Sequence, residues 1–450
     1  MPAERARGEI RLFFEAKLQA LRRDQNSARV VVFSIAAIFA LGAANPAAAG
    51  GYQLRQHGAG AQATAIAGAT AGAHGLENLF FNPAVAGLSE RPEAALSATL
   101  IAPASEITGA QGSISATNVG GSTRLDDAMP NPVVPAFYAA APLDAEVAGG
   151  GVSLGFSASA PFGLETDYGR DWQGRYHAVG TEVVTFNLNP MLAYRASDTL
   201  TLGAGVQAQY FRGVLSNAVA LSGGSDGFVE VDADDWAFGF NVGALWTPVA
   251  GTRLGLAYRS AVDHSLDGQA DFSAGVPFAD TGARADITTP RSVTLGISQA
   301  LNDRWTLLGE AQWTDWSTFD QLVVAFDNPG QDPDVTRQDW HDGWFASVGA
   351  RYRASDALSV SAGAAYDWSP VPDDTLTPRI PDADRAWLSL GLDWTPEDWL
   401  RLKLGYAHLF MPARTIELQQ GDPGNDRRGD LTATTDTDVD IVSVTFALRF

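Results

Sequence analysis

The 450-residue chain has no cysteine, which excludes a disulfide scaffold and a thiolate-ligated metal site. It has two lysines, Lys17 and Lys403, and 30 cations in all against 52 acids, for a net charge of −22. Phosphate binding needs clustered cations, so this balance argues against a nucleic-acid partner. Long apolar runs are missing too. The longest, Val30 to Ala44, has fifteen residues, short of the ~20 that a membrane-spanning helix requires. What the chain has in quantity is glycine (46) and aromatic side chains (12 Trp, 10 Tyr and 22 Phe), which reads as an all-β protein.

Residues 1–29 hold seven cations against four acids, then comes the apolar stretch Val30 to Leu41, then Ala47-Ala48-Ala49-Gly50. Positive, apolar and small-residue segments in that order read as a secretory signal peptide over residues 1–49. Without it the chain carries 23 cations and 48 acids and is delivered beyond the inner membrane.

Residues 91–450 follow a period-two pattern in which short and long polar connections alternate. Short turns are expected at Asp144, Ser197-Asp198, Val249-Ala250-Gly251, Asn302-Asp303, Ser355-Asp356 and Pro396-Glu397. Long loops are expected around 105–130, 163–178, 217–233, 263–284, 327–339, 370–382 and 411–433. Thirteen connections imply fourteen strands, and an even count puts both ends of a transmembrane antiparallel barrel on the short-turn side. In the last strand Val442, Val444, Phe446, Leu448 and Phe450 share one face, and Ser443, Thr445, Ala447 and Arg449 the other. The apolar face is assigned to lipid and the polar face to the lumen. A soluble sandwich would alternate as well. Trp246, Trp305, Tyr352, Trp368, Trp394 and Trp399 near strand ends, where interfacial belts form, favour the membrane, as does the closing aromatic Phe450. Asp436, Asp438 and Asp440 share the parity of Val442 and read as a solvated outer rim rather than a calcium site.

Residues 50–90 are rich in Gly and Ala and too irregular for a lipid-facing strand. Fourteen strands leave a lumen wider than side chains fill, so this segment is expected inside it as a hatch. The alternative is a flexible periplasmic tail, against which the cluster Leu76, Leu79, Phe80 and Phe81 speaks. The third expected strand, Val147 to Ala160, runs into Pro161, Phe162 and Gly163. Proline offers a neighbour no N–H and glycine fills no space, so the ladder should break there.

Several stretches resemble the FadL/TodX-type outer-membrane transporters of long-chain fatty acids and other hydrophobic compounds. They are Gly51-Tyr52-Gln53-Leu54, Asn82-Pro83-Ala84, Pro161-Phe162-Gly163-Leu164, GRYHAVGTEVVTFNLNP (174–190), WTDWSTFDQL (313–322) and IPDADRAWLSLGLDW (380–394). The resemblance implies a fourteen-stranded barrel with an N-terminal hatch, a hydrophobic cavity touching the hatch's first residues, and a kinked third strand that opens the wall sideways. On that reading Tyr52, Leu54, Phe80 and Phe81 line the ligand pocket. Asn82, Pro83 and Ala84 close the hatch, and Ala160 to Gly163 form the lateral opening. Fatty-acid members would place a cation for the carboxylate near the outer end of the fifth strand or after the ninth. This chain has Arg212 in the first region and Val323-Val324 in the second, with Arg175, Arg291 and Arg385 as alternatives to Arg212, so uncharged substrates stay open.

The function expected is passive uptake of hydrophobic compounds by a monomer sitting among outer-membrane lipid and lipopolysaccharide, with no cofactor. The rivals are a hydrophilic porin, which would lack the hatch, and a barrel enzyme. The six His show no recognisable catalytic neighbourhood.

Overall fold

The computed structural model describes residues 50–221 and 224–450; the leader expected over residues 1–49 lies outside them. Fourteen antiparallel strands form a closed barrel. In chain order they are β1 (Glu93–Ile114), β2 (Val133–Val147), β3 (Gly150–Ser159 and Gly163–Asp167), β4 (Gly180–Arg195), β5 (Leu200–Ala220), β6 (Asp226–Val249) and β7 (Thr252–Arg259 and Val262–Phe272). There follow β8 (Thr281–Thr289 and Ser292–Ala300), β9 (Trp305–Thr314), β10 (Gly343–Arg353), β11 (Leu358–Trp368), β12 (Arg385–Glu397), β13 (Leu400–Phe410 and Arg414–Leu418) and β14 (Asp430–Arg449). A hairpin of Gln321–Phe326 with Asp334–Arg337 adds to the rim at the long-loop end. β14 closes on β1, with Arg449 opposite Glu93 and Val442 opposite Leu100. An unpaired edge in hydrocarbon costs several kcal/mol per polar group, which is why the sheet must close.

The alternation along each strand reverses part-way up. In the middle of β6, Phe238, Phe240 and Val242 point outward and Asn241 inward; nearer the loops Asp232 and Asp234 point outward and Val231 and Ala233 inward. β14 does the same. Val442 and Phe446 face out while Ser443 and Thr445 face in, where their hydroxyls bond Thr99 and Ser97 at 2.8 Å. Higher on the strand Asp436, Asp438 and Asp440 face out while Val439 and Ile441 are buried inside. The inward face of these strands is therefore mainly polar in its lower part and carries more apolar side chains toward the loops.

Phe238 is 73% exposed, Val348 66% and Leu390 61%, an outer apolar band no water-soluble surface tolerates at this extent. Trp313, Trp344 and Trp368 lie in register on three adjacent strands at its upper edge. Trp305 and Tyr352 stack at 4.8 Å at its lower edge. Eight residues separate Trp313 from Trp305, ~26 Å along the strand, which a barrel tilt of 35–45° reduces to roughly 20 Å of height.

Two expectations about connections are corrected. The first turn is at Ala148–Gly149, with φ of 50° and 81°, and Asp144 lies within β2 beside a bulge between Pro142 and Glu146. Several long loops are shorter than expected, because β5 and β6 run 21 and 24 residues to a tip between Ala220 and Asp226. Their upper parts read as loop because acids face outward there, where the wall has left the lipid.

Residues 50–88 are buried almost throughout and carry only short helical pieces, Ala59–Gln62, Leu76–Phe80 and Pro83–Leu88. They touch the inward face of the wall so closely that a Cβ on Gly255 would lie 2.0 Å from the Thr70 carbonyl oxygen, and one on Gly363 2.2 Å from that of Thr64. Polar anchors fix the contact. Glu77 accepts from the Ala61 N–H at 2.7 Å and pairs with Lys403 at 3.1 Å. Glu310 accepts from the Thr70 N–H at 3.0 Å. Arg351 donates to the Ala73 carbonyl at 2.8 Å.

Candidate functional site

The β3 ladder is interrupted where proline and glycine require it. On the β4 side pairing stops at Ser159 opposite Asn187 and resumes at Gly163 opposite Val184. The Thr185 hydroxyl bridges the gap, accepting from the Phe162 N–H at 2.9 Å and donating to its carbonyl at 2.6 Å. On the β2 side pairing ends at Phe137 opposite Ala158. Continuing that register would set Pro135 opposite Ala160, and Pro135 has no N–H to give. Both lips of the interruption therefore carry a proline.

The vacated edge of β3 is taken by the start of the inner segment. The Leu54 N–H donates to the Pro161 carbonyl, and the Gly163 N–H to the Tyr52 carbonyl, each at 2.8 Å. Gln53 thus sits opposite Phe162 as a one-residue bridge. Ala160, Pro161, Phe162 and Gly163 are all buried. Ala160 shares an apolar cluster with Val134 of β2, Leu54 and Ile66.

Above this point the lumen is lined with rings. Tyr52 lies 4.8 Å from Trp316, 5.7 Å from Phe162 and 6.0 Å from both Phe319 and Trp340. These residues belong to one buried cluster that continues through Phe211, Leu266 and Ile416 toward the loops, with Leu322 packed against it. The Tyr52 hydroxyl, buried among them, has no hydrogen-bond partner.

On the other side of Leu54 lies a narrow crevice whose lining includes Leu54, Phe80 and Phe81 together with Arg55, Asn241, Thr294, Gln312 and Arg259. The Arg259 guanidinium stands 4.6 Å over the Phe80 ring and donates to the Phe80 carbonyl at 2.5 Å. Among the described residues no carboxylate lies within 4 Å of it. Arg55 stacks 4.6 Å over Phe345 and meets Asp367 at 3.4 Å. The arrangement offers a narrow, mostly polar crevice with the Phe80 and Phe81 rings and two guanidiniums on its walls.

The family model described as "Outer membrane protein transport protein (OMPP1/FadL/TodX)" matches residues 40–450. The chain belongs to this family. FadL/TodX-family members are outer-membrane transporters, and this barrel is a Gram-negative outer-membrane protein. Among relatives, the long-chain fatty acid transport protein of Escherichia coli is 25% identical over 413 residues, covering 83% of this chain and 89% of the relative. Outer membrane protein P1 of Haemophilus influenzae is 27% identical over 321 residues, 64% of this chain and 68% of that one. The solved structure of a Pseudomonas aeruginosa FadL homologue superposes with a TM-score of 0.80 at 22% identity, covering 89% of this chain and all of that one. The Ralstonia pickettii toluene transporter TbuX gives 0.64 at 18%, covering 87% and 98%.

Of the residues singled out from the FadL/TodX resemblance, the structure brings Leu54, Phe80 and Phe81 together at one cavity and places Tyr52 in the aromatic cluster above it. Asn82 is the N-cap of the helical piece Pro83–Leu88. Its Oδ1 caps the next helical piece at the Ala84 N–H, 2.9 Å, with Pro83 in the first helical position, and its Nδ2 donates to the Ala244 carbonyl of the wall at 3.1 Å. Arg212 is not brought to the lumen. It stands on the outward face of β5 in a forked pair with Asp232, 2.9 and 2.7 Å. Arg291 is likewise turned to Asp315 at 2.6 Å. Pro135, Thr185, Arg55 and Arg259 were missed. Arg259 was within reach, since it shares the inward parity of Gly255 and Ala257.

His57 is the titrating group beside this cavity. Its ring lies 3.6 Å from that of Phe80, its Nε2 bonds the Leu54 carbonyl at 2.9 Å, and its Nδ1 is buried without a partner. Burial first, and then Arg259, lower its pKa to about 3. The unfolded segment takes up a proton near pH 6.5 and the docked one does not. Docking of residues 50–88 is therefore expected to be fully supported above pH 6.5 and to weaken as pH falls toward 3. Single-channel conductance in planar bilayers should rise over that window, less steeply in His57→Gln; a flat profile would refute the assignment.

Proposed function

We propose that the protein takes up hydrophobic compounds by passive diffusion, with residues 50–88 as a hatch and the interruption of β3 as a lateral exit into the outer leaflet. The observation that carries this reading is the filling of the break. Three residues of the inner segment, Tyr52 to Leu54, occupy the edge a strand would occupy, so shifting them uncovers an apolar gap between β2 and β3. The buried cluster from Leu322 and Ile416 down to Tyr52 gives an apolar solute a path from the loops to that gap. Each buried CH2 favours residence there by about 0.8 kcal/mol. No step on this path calls for an energy source.

Relatives and neighbours named for long-chain fatty acids and for toluene span the substrate range. Arg55 and Arg259 beside the cavity support apolar chains that end in an anion. The barrel is expected to work as a monomer whose outer band contacts lipid and lipopolysaccharide. The test is uptake into proteoliposomes holding no energy source. Decanoate and toluene should equilibrate at least about tenfold faster than into protein-free vesicles, while arabinose should not. Equal rates for all three solutes would refute it.

A further inference from the structure

Above the aromatic cluster the long loops pack on one another, and a histidine stands where two of them meet. The β3–β4 loop (168–179) turns inward. Trp172 is fully buried, its ring 4.7 Å from that of Tyr168, and its Nε1 donates to the Ala178 carbonyl at 2.7 Å. Both rings belong to the buried cluster that reaches down to Tyr52. Side chains tie the loop to its neighbours. The Tyr168 hydroxyl donates to the Pro378 carbonyl of the β11–β12 loop at 2.6 Å. Arg175 donates to the Gly120 and Val119 carbonyls of the β1–β2 loop at 2.9 and 3.0 Å.

The contact with the β13–β14 loop (419–429) is His177. Its side chain is 4% exposed and its Nε2 donates to the Gly429 carbonyl at 3.1 Å. Gly429 is pressed against β1 from the other side: at its φ of 79° a Cβ would lie 2.0 Å from the Ser113 carbonyl oxygen. With Nε2 donating, the neutral ring keeps Nδ1 without a proton. The nearby charges do not favour adding one. Arg428, beside Gly429, and Arg379 of the β11–β12 loop are buried and act on the ring, with Asp430 opposing them. Arg428 is matched by Asp334 at 2.7 Å, and Asp430 already accepts from the Gln420 N–H and the Ser113 hydroxyl, each at 2.8 Å. Arg379 meets neutral acceptors, among them the Asn217 amide oxygen at 3.1 Å. On the histidine's own loop Arg175 and Tyr176 both engage Asp226. A proton at Nδ1 would thus bury a third cation beside two guanidiniums.

We propose that His177 is an acid-released latch: neutral, it holds the β3–β4 and β13–β14 loops together over the outer mouth of the lumen, and protonated, it lets them part. Its role as a gate rests on the transport reading above; the latch itself does not. Burial first, and then Arg428, lower the ring's pKa to about 3 in the closed arrangement, against ~6.5 for a ring in water. The closed form is therefore fully favoured above pH 6.5 and loses ground as pH falls toward 3. Between pH 7.5 and pH 5 the ratio of open to closed loops rises about thirtyfold.

Amide hydrogen exchange of the detergent-solubilised full barrel, read by mass spectrometry on peptides covering 168–178 and 419–429 and corrected for intrinsic rates, measures that ratio. Protection in both segments is expected to fall about thirtyfold from pH 7.5 to pH 5 in the wild type. It should stay level in His177→Gln, whose amide can still donate to the Gly429 carbonyl. A variant that keeps the wild-type acid response would overturn the latch. Should glutamine fail to hold the loops at pH 7.5, the wild-type curve decides: a fall approaching tenfold per pH unit from pH 6 is the slope of one proton on the ring. A flat curve, or a fall that begins only below pH 5 where carboxylates titrate, would refute it. Influx of octan-1-ol into proteoliposomes tests the gate, in barrels that also carry His57→Gln. It should rise severalfold at pH 5 with His177 and stay level with His177→Gln. Exchange that responds to pH while influx does not would overturn the gating role. No influx at either pH would bring down the transport reading and leave the latch, which exchange reads by itself.

Discussion

Replacing Pro135 and Pro161 together by threonine is expected to cut uptake of hydrophobic solutes roughly tenfold or more while the barrel stays folded. The two residues occupy opposite lips of the break, and both now lack the N–H through which β2 and β3 could continue their ladder. Restoring the donors lets the strands zip past Phe137 and Ala158. A hydrogen bond in an apolar setting is worth more than its net 0.5–1.5 kcal/mol in water-exposed structure. Two of them exceed the ~1.4 kcal/mol that shifts an open population tenfold. The added side chains are β-branched and suit a strand. Uptake of decanoate into proteoliposomes measures the effect, with circular dichroism confirming the β content. Unchanged uptake in a folded double variant would remove the lateral exit.

Deleting residues 51–89 should turn the barrel into a polar pore. The wall facing that segment has Lys403, Glu310, Arg351 and Ser443 on its inner surface, groups that water can solvate once the segment has gone. The strand ladders do not depend on it, apart from the bridge at Phe162. A lumen of fourteen strands is wider than side chains alone close. Arabinose influx and ion conductance are each expected to rise at least about tenfold, and selectivity for apolar solutes should disappear. A deletion variant that remains impermeable to arabinose would mean that these residues do not close the pore.

The two predictions act on features of different legibility. The break was readable because Pro161 and Gly163 are exceptions to strand chemistry and stand out at any position. Its partner lip was not, since Pro135 gains meaning only from the register that sets it opposite Ala160. The inner segment was recognisable by elimination, as forty residues with the wrong composition for a wall. Its use of residues 52–54 as a substitute strand depended on where the chain re-enters the barrel. Strand ends were misjudged wherever the wall leaves the lipid, as at Asp232 and Asp234, because outward acids there mimic a loop. Arg212 illustrates the reverse error: proximity to the expected strand end suggested a ligand role, but its parity turns it outward to Asp232.

By itself, the sequence determined the class of structure: period-two alternation, short and long turns in strict order, and aromatic belts leave a closed membrane barrel as the arrangement that satisfies its backbone in lipid. The tertiary structure alone decided which partners the buried polar groups meet. Whether an arginine is neutralised or left facing a cavity depends on contacts between residues far apart in the chain. Arg379 against Asn217, Arg428 against Asp334 and Leu54 against Pro161 are pairings that periodicity cannot encode.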